Sequence, residues 1–403
     1  MNGLRLIGER KMTTERLYEK DAYCRFFEAS VLSCEERNGA FEVILDRTAF
    51  FPEGGGQAAD EGTLNGMAVC DVKQKGEAVV HTMRSPLPVG GTVKGEVDFA
   101  LRFARMQSHA GEHILSGVVH ALFGFDNVGF HMSEKTMTVD FNGVLTQADI
   151  EAVEAKANEA VWKNVPITVS YPTEEEAAAI DYRSKIDYRE GLRLVTIEGV
   201  DCCACCAPHP SRSGEIGLIK ILDVCPNKGG TRVEMAAGKN AFDDYAALNR
   251  MNKALMGLLS AKRDGVQAAV EKQNETAGAL RSEAMKLSRR LAMSELVPTF
   301  VGRSFFACAD GLSFDDLRHC ANELTATHAD CGICLLLSRD AEGQVLYVAA
   351  SPKGDVRSVV GELNKTFGGK GGGKPAYAQG KLASAENEEA LLAAVRELLE
   401  KEA

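Results

Sequence analysis

The chain has 403 residues, more than one hydrophobic core usually organises, so two or three folding units are expected. With 45% apolar and 26% charged residues, 39 Gly and 11 Pro, it lies near the averages of soluble globular proteins, which excludes collagen-like, mucin-like and wholly disordered classes. A formal charge of −11 excludes indiscriminate nucleic-acid binding, because the summed field repels phosphate, but it leaves room for a local basic patch.

No stretch approaches the roughly 20 apolar residues that span a bilayer, and the opening segment mixes both charge signs without an apolar run. A cytoplasmic protein with no membrane partner is expected. Of the 12 cysteines, four crowd into the string DCCACC, Asp201 to Cys206, a pattern that favours reduced thiols or metal ligation over a disulfide framework.

In chain order, short alternating runs with NG and GG turns from Phe27 to about Val97 predict a small antiparallel β-barrel or sandwich over residues 1–97. At Leu101 the period changes. Phe103, Met106, Ile114, Leu115, Val118 and Leu122 fall near helical spacing, with Gly124 as a stop. A second helix near Thr146 to Asn164, a strand at Pro166 to Tyr171 and an acidic helical turn follow, so residues 98–238 read as an α+β unit. Residues 239–296 are rich in Ala, Leu, Met, Lys, Arg and Glu, with Leu280, Ala284, Leu287 and Leu291 in heptad spacing. They predict a long helical arm, about 80 Å if unbroken, with Gly257, Gly265 and Gly278 as places for bends. Residues 297–403 alternate again and predict a C-terminal α/β-type or α+β domain with a central strand at Ile333 to Leu337, a glycine loop and a final helix. The fold class is α+β overall.

Three strings carry chemistry. His109 and His113 lie four apart on the predicted helix, so both imidazoles project from one face and can converge on one ion. About 90 residues on, Cys205 and His209 form a C-x-x-x-H pair, and thiolate with imidazole suits Zn²⁺; spacing alone does not select Cys205 over Cys202, Cys203 or Cys206. The same helix also reads H-x-x-E-H, the inverted zinc-protease motif, with Glu112 as general base. The second string, FFPEGGGQAADEG, sets Gly54, Gly55, Gly56 and Gln57 behind Pro52; its backbone can approach a ligand closely, and Thr48 and Gln57 can offer hydrogen bonds to a small polar substrate. In the third, FGGKGGGKPAYAQG, Lys370, Gly371, Gly372, Gly373 and Lys374 expose N–H donors suited to phosphate but lack the ending of a Walker loop. From Lys353 to Lys381 six basic residues stand against two acids, a local +4 suited to an RNA backbone, with Tyr377 available for stacking.

Together, LDRTAFFPEGGGQAADEG, RFARMQSHAGEHIL, the C-x-x-x-H pair with SGEIGLIKIL and KGGTRVEM, and GGKGGGKPAYAQG resemble the long form of the free-standing alanyl-tRNA editing proteins, AlaX. They also resemble the editing and C-terminal (C-Ala) parts of alanyl-tRNA synthetase. The resemblance covers nearly the whole chain. It implies that His109, His113, Cys205 and His209 are zinc ligands in an editing domain over residues 98–238. It further implies that Thr48 and Gly54 to Gln57 wall the amino-acid pocket, and that residues 297–403 form a tRNA-binding C-Ala-like domain. The implied reaction is hydrolysis of the ester in tRNA(Ala) mischarged with serine or glycine. The family's frequent C-G-G-T-H reads Cys205-Cys206-Ala207-Pro208-His209 here. Two alternatives are an RNA-binding protein with a structural zinc and the inverted-motif protease. The helical arm or the C-terminal domain could also serve a homodimer.

Overall fold

A computed structural model describes residues 12–184, 191–340, 343–383 and 387–402. The chain divides into two compact units, residues 1–254 and 255–403. It is a mixed α+β protein.

After the short strand Glu15–Arg16 and the helical turn Leu17–Lys20, the first unit contains a ring of six strands, Phe26–Arg37, Ala40–Leu45, Gly62–Leu64, Met67–Lys75, Ala78–Met83 and Thr92–Val97. Every neighbouring pair is antiparallel, and pairing of the first strand with the last closes the ring. Period-2 patterning explains its interior: in Thr92–Val97, exposed and buried residues alternate strictly. Val31, Val43, Leu45, Phe50, Leu64 and Val97 meet inside. The NG pairs identified in the sequence turn two of the hairpins, with Asn38 and Gly39 at φ 53° and 78° and Asn65 and Gly66 at 49° and 76°.

The helix Phe99–Phe123 follows, started by the Asp98 carboxylate, which accepts from Leu101 N, and stopped by Gly124 in the left-handed region. From Ser108 to Val119 every residue is buried, so this helix is a central rod with no solvent face there. Around it lie a four-stranded antiparallel sheet and the helix Gln147–Trp162, which opens with a Thr146/Asp149 capping box. A three-stranded sheet of Ile167–Ser170, Leu194–Ile197 and Asp201–Ala204 completes this part. Their shared core includes Ile114, Leu115, Val139, Val195, Ile197 and Met235.

The helical stretch predicted as an arm is two helices, Lys239–Leu259 and Val266–Glu295. Ser260 takes φ 51° after the first, and Gly265 caps the second; Gly257 and Gly278 lie inside helices.

The second unit holds a six-stranded sheet ordered Thr299–Val301, Ser304–Cys308, Cys334–Arg339, Val345–Ala350, Tyr377–Leu382 and Lys370–Lys374. Only Ser304–Cys308 with Cys334–Arg339 is parallel, so the sheet is mixed. Three of its four antiparallel pairs are joined by short connections, whereas the parallel pair is bridged by the helix Phe314–Thr327, since a parallel pair needs a longer crossover. The predicted glycine loop is also different: Lys370–Lys374 is an exposed edge strand. A side chain at Gly371 would meet Tyr347 Oη at 2.2 Å, so glycine there permits the close approach of the hairpin to the sheet. No helix among the described residues is long and apolar enough to cross a membrane.

Candidate metal centre

The two histidines of the central helix and the C-x-x-x-H pair converge. One ligand atom from each of His109, His113, Cys205 and His209 lies within 4.8 Å of every other, and all four residues are buried. Cys205 Sγ stands 3.6 Å from His109 Nε2 and 3.3 Å from His209 Nε2. Zinc bond lengths of about 2.05 Å to nitrogen and 2.3 Å to sulfur give a tetrahedral S···N edge of about 3.6 Å, so the donor set fits Zn²⁺.

The surroundings aim these atoms. His109 Nδ1 lies 3.0 Å from Gln57 Oε1 and His113 Nδ1 lies 3.1 Å from Asp201 Oδ2, which leaves each Nε2 for the centre. Asp201 is itself fixed by Arg183, whose Nε and Nη2 donate at 2.7 and 2.8 Å. Gly117 makes room for this contact: a Cβ there would stand 2.5 Å from Val200 O and 2.8 Å from Asp201 Cβ. On the other side, Arg193 Nη1 donates to Cys205 O at 2.6 Å and Ala207 O at 3.1 Å, clamping the loop that carries the thiol and His209.

The electrostatics follow from the crowding. Burial would raise the Cys205 thiol, but His109 and His209, with hydrogen bonds from His109 and His113, hold it well below the ordinary thiol range. Burial opposes charge on His113, yet Asp201 and Cys205 hold it well above the usual imidazole value. Burial takes His209 down to about 4. The thiolate is the form of Cys205 that a metal ion takes, whereas His113 must give up its proton to serve as a ligand.

A cavity of about 410 Å³ opens over this centre, lined by Gly55, Gly56, His109, Glu112, His113, Asn127, Phe130 and Arg183, with Cys203 to Cys206 on one wall. Glu112 is buried, and its Oε1 accepts from Ser116 Oγ at 2.6 Å and from Asn127 Nδ2.

The glycine string forms a tight hairpin beside it, with Gly54 and Gln57 exchanging backbone hydrogen bonds. Asp60 anchors this hairpin through Phe51 N and a buried ion pair with Arg102, which also donates to Ala49 O. Gln57 is placed against His109 rather than on the cavity wall. Thr48 does not line the cavity either: it is fully buried, its Oγ1 is 2.8 Å from His81 Nε2, and it accepts from Phe50 N. Lys370, Gly371, Gly372, Gly373 and Lys374 belong to the second unit, where all five are exposed.

Sequence reasoning singled out the four donors, Glu112 and Gln57, and passed over Asp201, Arg183, Arg193, Asn127 and the Asp60–Arg102 pair. The one available signal was an acid at the head of DCCACC.

Three family models match parts of the chain: tRNA synthetases class II (A) over residues 12–101, the threonyl and alanyl tRNA synthetase second additional domain over 192–234, and the DHHA1 domain over 299–401. The alanyl-tRNA editing protein Aarsd1 of Danio rerio is 28% identical over 390 residues, covering 90% of this chain and 92% of its own. The alanyl-tRNA editing protein AlaX-L of Pyrococcus horikoshii is 32% identical over 251 residues, covering 60% and 61%. The chain is homologous to the alanyl-tRNA editing proteins. Homology to these editing proteins reaches both compact units. The alanine–tRNA ligase of Ignicoccus hospitalis is 30% identical over 382 residues, which is 90% of this chain and 40% of the ligase.

Proposed function

We propose that this chain is an aminoacyl-tRNA deacylase that hydrolyses the ester of tRNA(Ala) mischarged with serine or glycine, with Zn²⁺ held by His109, His113, Cys205 and His209. The observation that carries the reading is the convergence of these four donors beneath a cavity that also contains Glu112, in a chain homologous to editing proteins.

Bound zinc would supply Lewis acidity toward an ester carbonyl or a water molecule. The remaining work falls to side chains. Ser116 and Asn127 fix the plane of the Glu112 carboxylate, which takes a proton from the attacking water and returns it to the departing ribose oxygen. Phe130, whose ring centroid lies 5.4 Å from that of His109, covers the centre from one side and limits water. Serine differs from alanine by one hydroxyl, and a site that hydrogen-bonds this group rejects the analogue lacking it. Asn127 Oδ1, which among the described residues accepts only from Gly129 N and keeps a second lone pair, offers that contact inside the cavity, while Thr48 acts at a distance by holding Phe50 at the root of the glycine hairpin. Lys370 to Lys374 and their neighbours would bind the tRNA body electrostatically.

The H-x-x-E-H protease reading needs a carboxylate ligand. Asp201, which opens the strand Asp201–Ala204 beside His113, is a candidate, but its oxygens are engaged by His113 Nδ1 and Arg183.

The test is serine release from seryl-tRNA(Ala), beside alanyl-tRNA(Ala), by the full chain and by the Cys205→Ala/His209→Ala variant. Fast deserylation that spares alanine and vanishes in the variant supports the proposal. Release no faster than the spontaneous rate would overturn it in favour of an RNA-binding protein with a structural zinc.

A further inference from the structure

Four protein donors would fill a tetrahedron around zinc, so a substrate atom would reach the ion either as a fifth ligand or by replacing a donor, and a chelating group would favour replacement. The four are not held alike. His109 is tied through Nδ1 to Gln57, and His113 through Nδ1 to Asp201, which Arg183 grips with two hydrogen bonds. Cys205 sits on backbone clamped by Arg193 at its own carbonyl and at Ala207 O. His209 differs: its Nδ1 is buried, and no hydrogen-bond partner for it exists among the described residues.

The backbone around His209 is nonetheless fixed. Pro208 and Pro210 restrict it on both sides. Ser211 N donates to Tyr23 Oη at 2.8 Å, and Ser211 O accepts from Ile167 N at 2.8 Å. The ring packs edge-on against His109 and His113, with centroids 5.1 and 4.8 Å away. Rotation about the His209 side-chain bonds therefore breaks no hydrogen bond outside the donor set. Equivalent rotation of His109 would leave Gln57 Oε1 without its buried donor, and rotation of His113 would break its contact with Asp201 Oδ2.

We infer that His209 is the exchangeable donor: its ring swings out when a chelating aminoacyl group arrives, while His109, His113 and Cys205 keep the ion. This rests on the reading of the four residues as a zinc centre, and it makes Asp201 and Gln57 positioning residues that decide which ring stays.

The experiment uses the full chain loaded with Co²⁺, whose visible absorption reports coordination, and serine hydroxamate as the probe. Wild type is compared with His209→Ala, His109→Ala and His113→Ala. The expected result is that the hydroxamate-bound spectra of wild type and His209→Ala coincide. The variant should also bind the probe about tenfold more tightly, because no ring has to be released first. A wild-type spectrum unchanged at saturating hydroxamate would overturn the inference. So would coincidence with the His109→Ala or His113→Ala spectrum instead, or failure of His209→Ala to hold cobalt. Should wild type itself take up neither Co²⁺ nor Zn²⁺ in equilibrium dialysis, the zinc reading fails first and the inference with it.

Discussion

The centre is assembled from two limbs of opposite construction. His109 and His113 come from a helix whose middle is buried on every side, and their aim is set by side chains reaching in from elsewhere, Gln57 and Asp201. Cys205 and His209 come from a loop, and what holds that limb is its own backbone, gripped at two carbonyls by Arg193. A helix supplies spacing without further help, whereas a loop needs an external clamp to present a donor repeatedly in one place.

Perturbing the supports separates the limbs. The largest effect is expected at Arg102→Ala, which leaves Asp60 buried without its partner beneath the hairpin that delivers Gln57 to His109. Unfolding in urea should show a loss of about 3–5 kcal/mol. A comparable loss, reached by acid instead of mutation, is expected from a region outside both limbs. His81 is fully buried in the strand ring, and desolvation lowers it to about 4 from an ordinary 6.5. The unfolded chain thus binds a proton that the folded one refuses, so stability is complete above about 6.5 and falls as pH drops toward 4. Wild type should lose about 3 kcal/mol more over this window than His81→Gln, a difference readable from paired denaturation series.

Next comes Asp201→Ala, which should weaken zinc binding by about 10- to 100-fold in a competition with a chromophoric chelator. If affinity is unchanged, the helix limb needs no outside aim and the contrast between the limbs collapses. Smallest is Arg193→Ala: freeing two buried carbonyls should cost about 1–3 kcal/mol and raise hydrogen exchange in the loop from Cys205 to His209, with little change around His109.

The same division explains what could be read from the letters alone. Spacing four apart on a helix is a local property, so His109 and His113 were visible, and C-x-x-x-H is equally local. The aim of each ring was not, because Gln57 lies 52 residues from His109 and Asp201 lies 88 from His113. Gln57, a polar residue beside glycines, meets a histidine through Oε1 while its buried Nε2 has no hydrogen-bond partner among the described residues. Thr48, expected at the pocket, turns instead to His81, a residue with no distinguishing neighbours in sequence. The strand Lys370–Lys374 was hidden because three glycines carry no side-chain period at all; only pairing with Tyr377–Leu382 makes it a strand. Ser260, which ends the first helix of the arm, carries none of the glycine signals used to place bends.

That glycine strand has a consequence for how the chain lives among other copies of itself. It is the outer rim of a six-stranded sheet, and an outer rim is ordinarily a template on which a foreign strand can grow. Here a visiting strand would gain backbone hydrogen bonds but no apolar side-chain contact over Gly371, Gly372 and Gly373, and it would meet a cationic lysine at either end. The rim is consequently able to display main-chain donors to a polar, anionic visitor while remaining a poor nucleus for fibrils.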